Sequence, residues 1–138
     1  MRPNHVYDPD LITFKKRVHL KSLAILLVIS SPAFATDARF LASLGKLDPQ
    51  TRLEQVCDLE AMSRIAQADR AKSDVISHPV HSGNTLTADG GAFRQKGKWY
   101  RFSFVCKSTP DHLRVLSFSY KVGEVIPEEK WSSYGLWR

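Results

Sequence analysis

The segment Trp-Tyr-Arg-Phe-Ser-Phe-Val-Cys-Lys, Trp99 to Lys107, constrains the fold more than any other stretch of the chain. Side chains alternate across a strand. Tyr100, Phe102, Phe104 and Cys106 therefore share one face, and Trp99, Arg101, Ser103, Val105 and Lys107 share the other. The run Leu113 to Val122 repeats the pattern, with Leu116, Phe118, Tyr120 and Val122 in one register and Val115, Ser117, Ser119 and Lys121 in the other. Ser108-Thr109-Pro110-Asp111 between them is turn chemistry, so the two runs are expected to pair antiparallel. Two aromatic faces then need a cover.

The N-terminal region has a different character. Lys15, Lys16, Arg17, His19 and Lys21 precede the apolar run Leu23 to Ile29, and Ser30-Ser31-Pro32-Ala33-Phe34-Ala35 follows. Basic residues, a short apolar run and an Ala-x-Ala site in that order predict a secretory signal peptide over residues 1–35, cut after Ala35. The apolar run is far short of the roughly 20 residues that span hydrocarbon, so no stable transmembrane anchor is expected after cleavage. The expected location is periplasmic or secreted. The leader holds five Lys or Arg and two Asp, so the formal charge of +6 falls to +3 for residues 36–138. The remaining 15 basic and 12 acidic residues make a mixed surface, which gives no reason to expect nucleic acid as a partner.

Cys57 and Cys106 remain in the processed chain, and in an oxidising compartment paired thiols bridge. Closing a loop of about 50 residues is worth about 4 kcal/mol on the chain-entropy account. Asp48-Pro49 is an N-cap and first-turn pair, and no Gly or Pro interrupts the chain from there to about Ala68. Leu53, Cys57, Ala61 and Ile65 form one ridge at a spacing of four. The ridge carries Cys57, and the oily strand face carries Cys106. A helix lying across that face satisfies both. Leu59 falls away from the ridge, which predicts a second contact on the helix.

Residues 36–46 read as an arm or a short helical turn closed by Gly45, and 47–138 as a single domain. Val75 to Val80 contains Pro79 and is expected to form an edge strand at most. Thr85 to Asp89 is a candidate short strand, and Gly90-Gly91 is read as punctuation before a hairpin of Ala92–Gln95 with Trp99, turning at Lys96-Gly97-Lys98. Pro127-Glu128-Glu129 opens a short closing helix that carries Trp131, Tyr134, Leu136 and Trp137. The fold class expected is α+β: an N-terminal helix disulfide-linked to an antiparallel sheet of three to five strands, with a short C-terminal helix.

The blocks Leu47-Asp48-Pro49, Arg52-Leu53-Glu54-Gln55, Cys57 to Met62, Gly91-Ala92-Phe93-Arg94, Trp99-Tyr100-Arg101, Phe118-Ser119-Tyr120 and Ile126-Pro127 with Trp131 resemble the domain of unknown function 930 family. That family comprises small exported bacterial proteins. The resemblance runs from about Leu47 to Leu136 and fits poorly over Ala71 to Asp89. It implies an envelope or secreted protein with no established activity, and it supplies no catalytic or binding residues.

Among constellations that carry chemistry, Arg94, Lys96, Lys98, Trp99 and Arg101 cluster around one hairpin. Cations beside an aromatic plane suit an anionic or glycan ligand, although basic hairpins also serve solubility and edge protection. His78 and His81 are two imidazoles three residues apart, short of a metal site without further ligands. His112 follows Asp111 at a turn, and Glu54 and Asp58 share a helix face, where two carboxylates in solvent need no further purpose. Glu60 and Arg64 read as an ordinary helix ion pair. No Gly-x-Ser-x-Gly turn exposes a nucleophile, and no metal or cofactor is implied. The expected function is a non-enzymatic envelope binding or interaction module whose partner is an envelope component or another protein. The alternative is a small periplasmic hydrolase or metal-dependent enzyme using His78, His81, His112 or Glu54 with Asp58.

Overall fold

The computed structural model describes residues 33–138, with side chains from Ala38 onward. The predicted leader therefore lies almost wholly outside the described residues, and its cleavage point after Ala35 falls in the first turn of helix α1 (Ala33–Leu44). Helix α2 (Pro49–Arg64) starts where expected, with the Asp48 carboxylate accepting from the backbone N–H of Gln50 and Thr51 at 3.1 Å each. The carboxylate thereby satisfies two of the free donors of the first turn. The Thr51 side chain first, and then these backbone N–H groups, pull the Asp48 carboxyl below its usual value.

Five strands follow: β1 (Ala68–Lys72), β2 (Val80–Ser82), β3 (Thr85–Gln95), β4 (Lys98–Ser108) and β5 (Val115–Val125). They form one antiparallel sheet in the order β1-β3-β4-β5, with β2 paired to the opening residues of β3. The chain is thus α+β, with a five-stranded sheet at the upper end of the expected range.

Helix α2 lies on the face that carries Phe102, Phe104 and Cys106, here called the inner face. Leu53, Cys57 and Ala61 are sealed from solvent, and Ile65 nearly so. They pack with Leu86, Ala88, Phe93 and the β4 aromatics in one core. The Cys57–Cys106 disulfide joins helix to sheet with the two Cα atoms 6.0 Å apart. Arg52 clamps the other end. Its guanidinium donates to the carbonyls of Leu44, Gly45 and Leu47 at the end of α1 and to Asp111 in the β4–β5 loop, at 2.7–3.1 Å. Away from the ridge, Leu59 lines an apolar groove together with Phe40, Leu41 and Leu44 of α1.

Several local expectations need correction. Trp99 is fully buried rather than on a wet face. The opposite, outer face of the sheet has its own core, in which Ile126, Trp131 and Leu136 from the C-terminal segment roof Trp99 and Ala92, with Val75 and Ile76 beside them. The closing helix is two single 3-10 turns, Glu128–Lys130 and Ser132–Tyr134, and Gly135 at φ +63° lets the chain fold back. The Trp99 indole N–H donates to the Trp137 carbonyl at 2.8 Å and pins the tail. The polar stretch that begins at about Ala68, where the uninterrupted helical run stops, opens with a strand, Ala68–Lys72.

Gly90-Gly91 does not end β3 but bulges it. A Cβ on Gly90 would lie 2.4 Å from the Ser77 backbone nitrogen, and one on Gly91 would lie 2.8 Å from the Phe102 ring. The bulge falls opposite Ser103 on β4. In β5 a second register shift pairs Ser108 with Val115. This shift turns Leu116 out to solvent, 62% exposed, where simple alternation had placed it inward.

Candidate functional site

On the outer face the registers set Arg70, Arg94 and Trp99 side by side across β1, β3 and β4, with Lys72, Ala92 and Arg101 in the next row. Arg94 is fixed from two directions. Its guanidinium donates twice to the Asp69 carboxylate, at 2.9 and 3.0 Å. It also lies 5.8 Å from the Trp99 ring centre and 6.0 Å from that of Trp137. The paired hydrogen bonds to Arg94 hold the Asp69 carboxyl below its usual value, and they raise the guanidinium in turn. The Lys72 ammonium stands 5.8 Å from the same Trp137 ring. Trp137 is 45% exposed, so it is the solvent-facing aromatic of the cluster, the place expected for Trp99.

Lys96 and Lys98 sit exposed at the hairpin turn, where Lys96 and Gly97 both take positive φ. The structure therefore gathers Arg94, Trp99 and Arg101 of the predicted surface on one face, with Lys96 and Lys98 at its tip. Arg70, Lys72, Lys107 and Lys121 join that face by register. Arg70 and Lys72 are not legible in the sequence because their strand is not, and alternation sets Lys121 in the register opposite Phe118 and Tyr120 without linking it to the hairpin. Further along the same face, two adjoining open depressions of ≈ 240 and ≈ 180 Å³ share Asp89, Ser103 and Lys121, and the second extends to Arg101.

The remaining candidates lie elsewhere. His78 is an exposed partner of Asp74. His112 is buried with both ring nitrogens occupied, Nδ1 2.7 Å from the Pro49 carbonyl and Nε2 3.1 Å from Asn84 Oδ1. It ties the start of α2 to the sheet. Glu60 and Arg64 make the expected pair at 2.7 Å.

Glu54 and Asp58 do not stand in solvent. His81 Nε2 lies 2.7 Å from Glu54 Oε1, and Asp58 turns inward, its Oδ1 sealed from solvent without a hydrogen-bond partner. Burial pushes the Asp58 carboxyl up to about 7, with Glu54 adding to the rise and Ser73 and Lys72 opposing it. Asp58, Glu54 and His81 are thus the one place where residues of the enzymatic alternative converge, yet none of the three lines either outer-face depression or the apolar groove beside α1. Among the described residues, no group of three His, Cys, Asp or Glu side chains is arranged to hold a metal ion. Among them also, no helix is long and apolar enough to cross a membrane.

No curated protein and no solved structure matches the chain. One family model does, over residues 44–136, which takes in α2, the whole sheet and the C-terminal roof. The chain accordingly belongs to the family described as Domain of Unknown Function (DUF930).

Proposed function

We propose that this is an exported, periplasmic or secreted protein whose processed form is a non-enzymatic binding module of the cell envelope, with the outer sheet face as its contact for an anionic partner. The observation that carries the reading is the charge on that face. Arg70, Lys72, Arg94, Arg101, Lys107 and Lys121 are set there by register, and among the described residues Arg94 is the one of them that forms an ion pair, with Asp69. Cations concentrated on one face raise the local concentration of an anion. The fixed guanidinium and the exposed Trp137 ring add a rigid edge against which a partner can pack. Closure of Cys57 with Cys106 supports an oxidising compartment, as does the leader read from residues 1–35.

The test is retention of the purified chain on immobilised inorganic polyphosphate at low salt. Retention is expected to fall away as salt shortens the screening length toward about 3 Å near 1 M, and to be lost in Lys98→Glu with Arg101→Glu. Equal retention of that variant would remove the reading. A hydrolytic reading would rest on the Glu54–His81 contact and the neighbouring Asp58. It calls for a panel of ester, amide and glycoside substrates, with His81→Ala as control.

A further inference from the structure

We propose that the outer face carries a groove for an acidic polysaccharide, a chain of hydroxyl-rich rings bearing carboxylates; this deepens the anionic-partner reading and rests on it. The groove follows from side-chain size on neighbouring strands. Ser103 on β4 and Ser119 and Gly123 on β5 are small and form a low floor, while Arg101, Lys121 and Asp89 stand above it. Each depression alone is smaller than the usual ligand site of about 300–1,000 Å³. A ligand would therefore span both, running along the strands and crossing the row of Asp89, Ser103 and Lys121 that the two depressions share.

The position of Asp89 is built by the bulge. The Val75–Ser77 segment runs so close beneath Gly90 that a Cβ there would lie 2.2 Å from the Ser77 hydroxyl oxygen. The Gly90 carbonyl accepts from the backbone N–H of Ile76 at 2.8 Å and of Val75 at 3.3 Å. Bulges commonly re-aim a side chain in this way. Here the bulge holds an exposed carboxylate opposite Ser103. Among the described residues Asp89, Arg101 and Lys121 make no ion pair with one another, so all three charges are open to a ligand.

That mixture of charges selects the ligand. A dense polyanion would bring negative charge against Asp89 in the middle of the groove. A glycan instead offers hydroxyl donors between its acidic groups. Asp89 accepts from those hydroxyls, the Ser103 and Ser119 hydroxyls donate or accept, and Arg101 takes a carboxylate through its fork of N–H groups with Lys121 beside it.

The experiment is calorimetric titration of the full chain with an oligogalacturonate, its methyl-esterified counterpart and inorganic polyphosphate. The oligogalacturonate is expected to bind and the ester to bind at least tenfold more weakly. Asp89→Asn should weaken oligogalacturonate binding about tenfold, as loss of a charge-assisted hydrogen bond does, and should tighten polyphosphate binding. Asp89→Ala should do the same, and Arg101→Gln with Lys121→Gln should weaken both probes. Polyphosphate binding without oligogalacturonate binding, or oligogalacturonate binding that neither Asp89 variant alters, overturns the glycan assignment and leaves the anionic face standing. Failure of both charged probes to bind overturns the two together.

Discussion

Replacing Asp58 with Asn should flatten the pH dependence of stability and raise stability at neutral pH. Burial lifts the folded-state carboxyl from its ordinary 3.8 to about 7, so between those values the folded chain holds a proton that the unfolded chain has released. The stability tied to that proton is full below about pH 4. It declines by about 1.4 kcal/mol per pH unit on the way up and is gone above about pH 7. A rise of about three units corresponds to about 4 kcal/mol as an upper bound, since Asp58 keeps part of its surface in water. Asn has the shape of Asp without the charge to desolvate. Asp58→Asn and the parent are thus expected to lie within about 1 kcal/mol of each other at pH 4.5, with the variant ahead by 2–4 kcal/mol, in order of magnitude, at pH 8. The assay is urea unfolding followed by the fluorescence of buried Trp99 and Trp131, with the disulfide intact and m-values compared across pH. Parallel stability curves for the two proteins from pH 4.5 to 8 would refute the reasoning.

Other consequences are structural. Cys57→Ser with Cys106→Ser opens a loop of 49 residues and should cost about 4 kcal/mol in the same unfolding assay. Arg52→Ala removes the clamp on the α1–α2 connection and should lose on the order of 2–3 kcal/mol; limited trypsin digestion should cut at Lys46 faster than in the parent, and Arg52→Lys should not restore resistance. Gly90→Ala drives a Cβ into the Ser77 backbone, and the melting temperature should drop by about 10 °C.

What could be seen in advance was whatever strong local chemistry dictates. Asp48-Pro49 starts α2 because a carboxylate and a donorless residue suit a helix N-terminus wherever they occur. The ridge through Cys57 and the face through Cys106 each follow from a single period, and the disulfide joins them. Trp99 was misplaced for the complementary reason. Alternation says which residues share a face, but the residues that roof Trp99 come about 30 positions later, and neither Ile126 nor Leu136 announces where it will pack.

The polar strand Ala-Asp-Arg-Ala-Lys at 68–72 sends Ala71 into the core, too faint a signal to separate it from a loop. A Gly pair suits a turn and a bulge equally. Here the nearby Val75–Ser77 backbone selects the bulge, and with it the exposure of Asp89. Asp58 beside Glu54 looks like any solvated helix face until Ser73, just beyond β1, closes over it. The cationic face was half legible, as the hairpin Arg94–Arg101. The other half arrives on strands β1 and β5, which only the sheet order brings alongside.

The measurement that bears most directly on the outer face as the binding surface is a two-dimensional amide NMR titration of the chain with inorganic polyphosphate. The account expects saturable shifts confined to the Arg70, Lys72, Lys98, Arg101 and Lys121 region, with the Leu53 to Ile65 amides of α2 unmoved. Shifts centred on Glu54, Asp58 and His81, with that basic region silent, would contradict it.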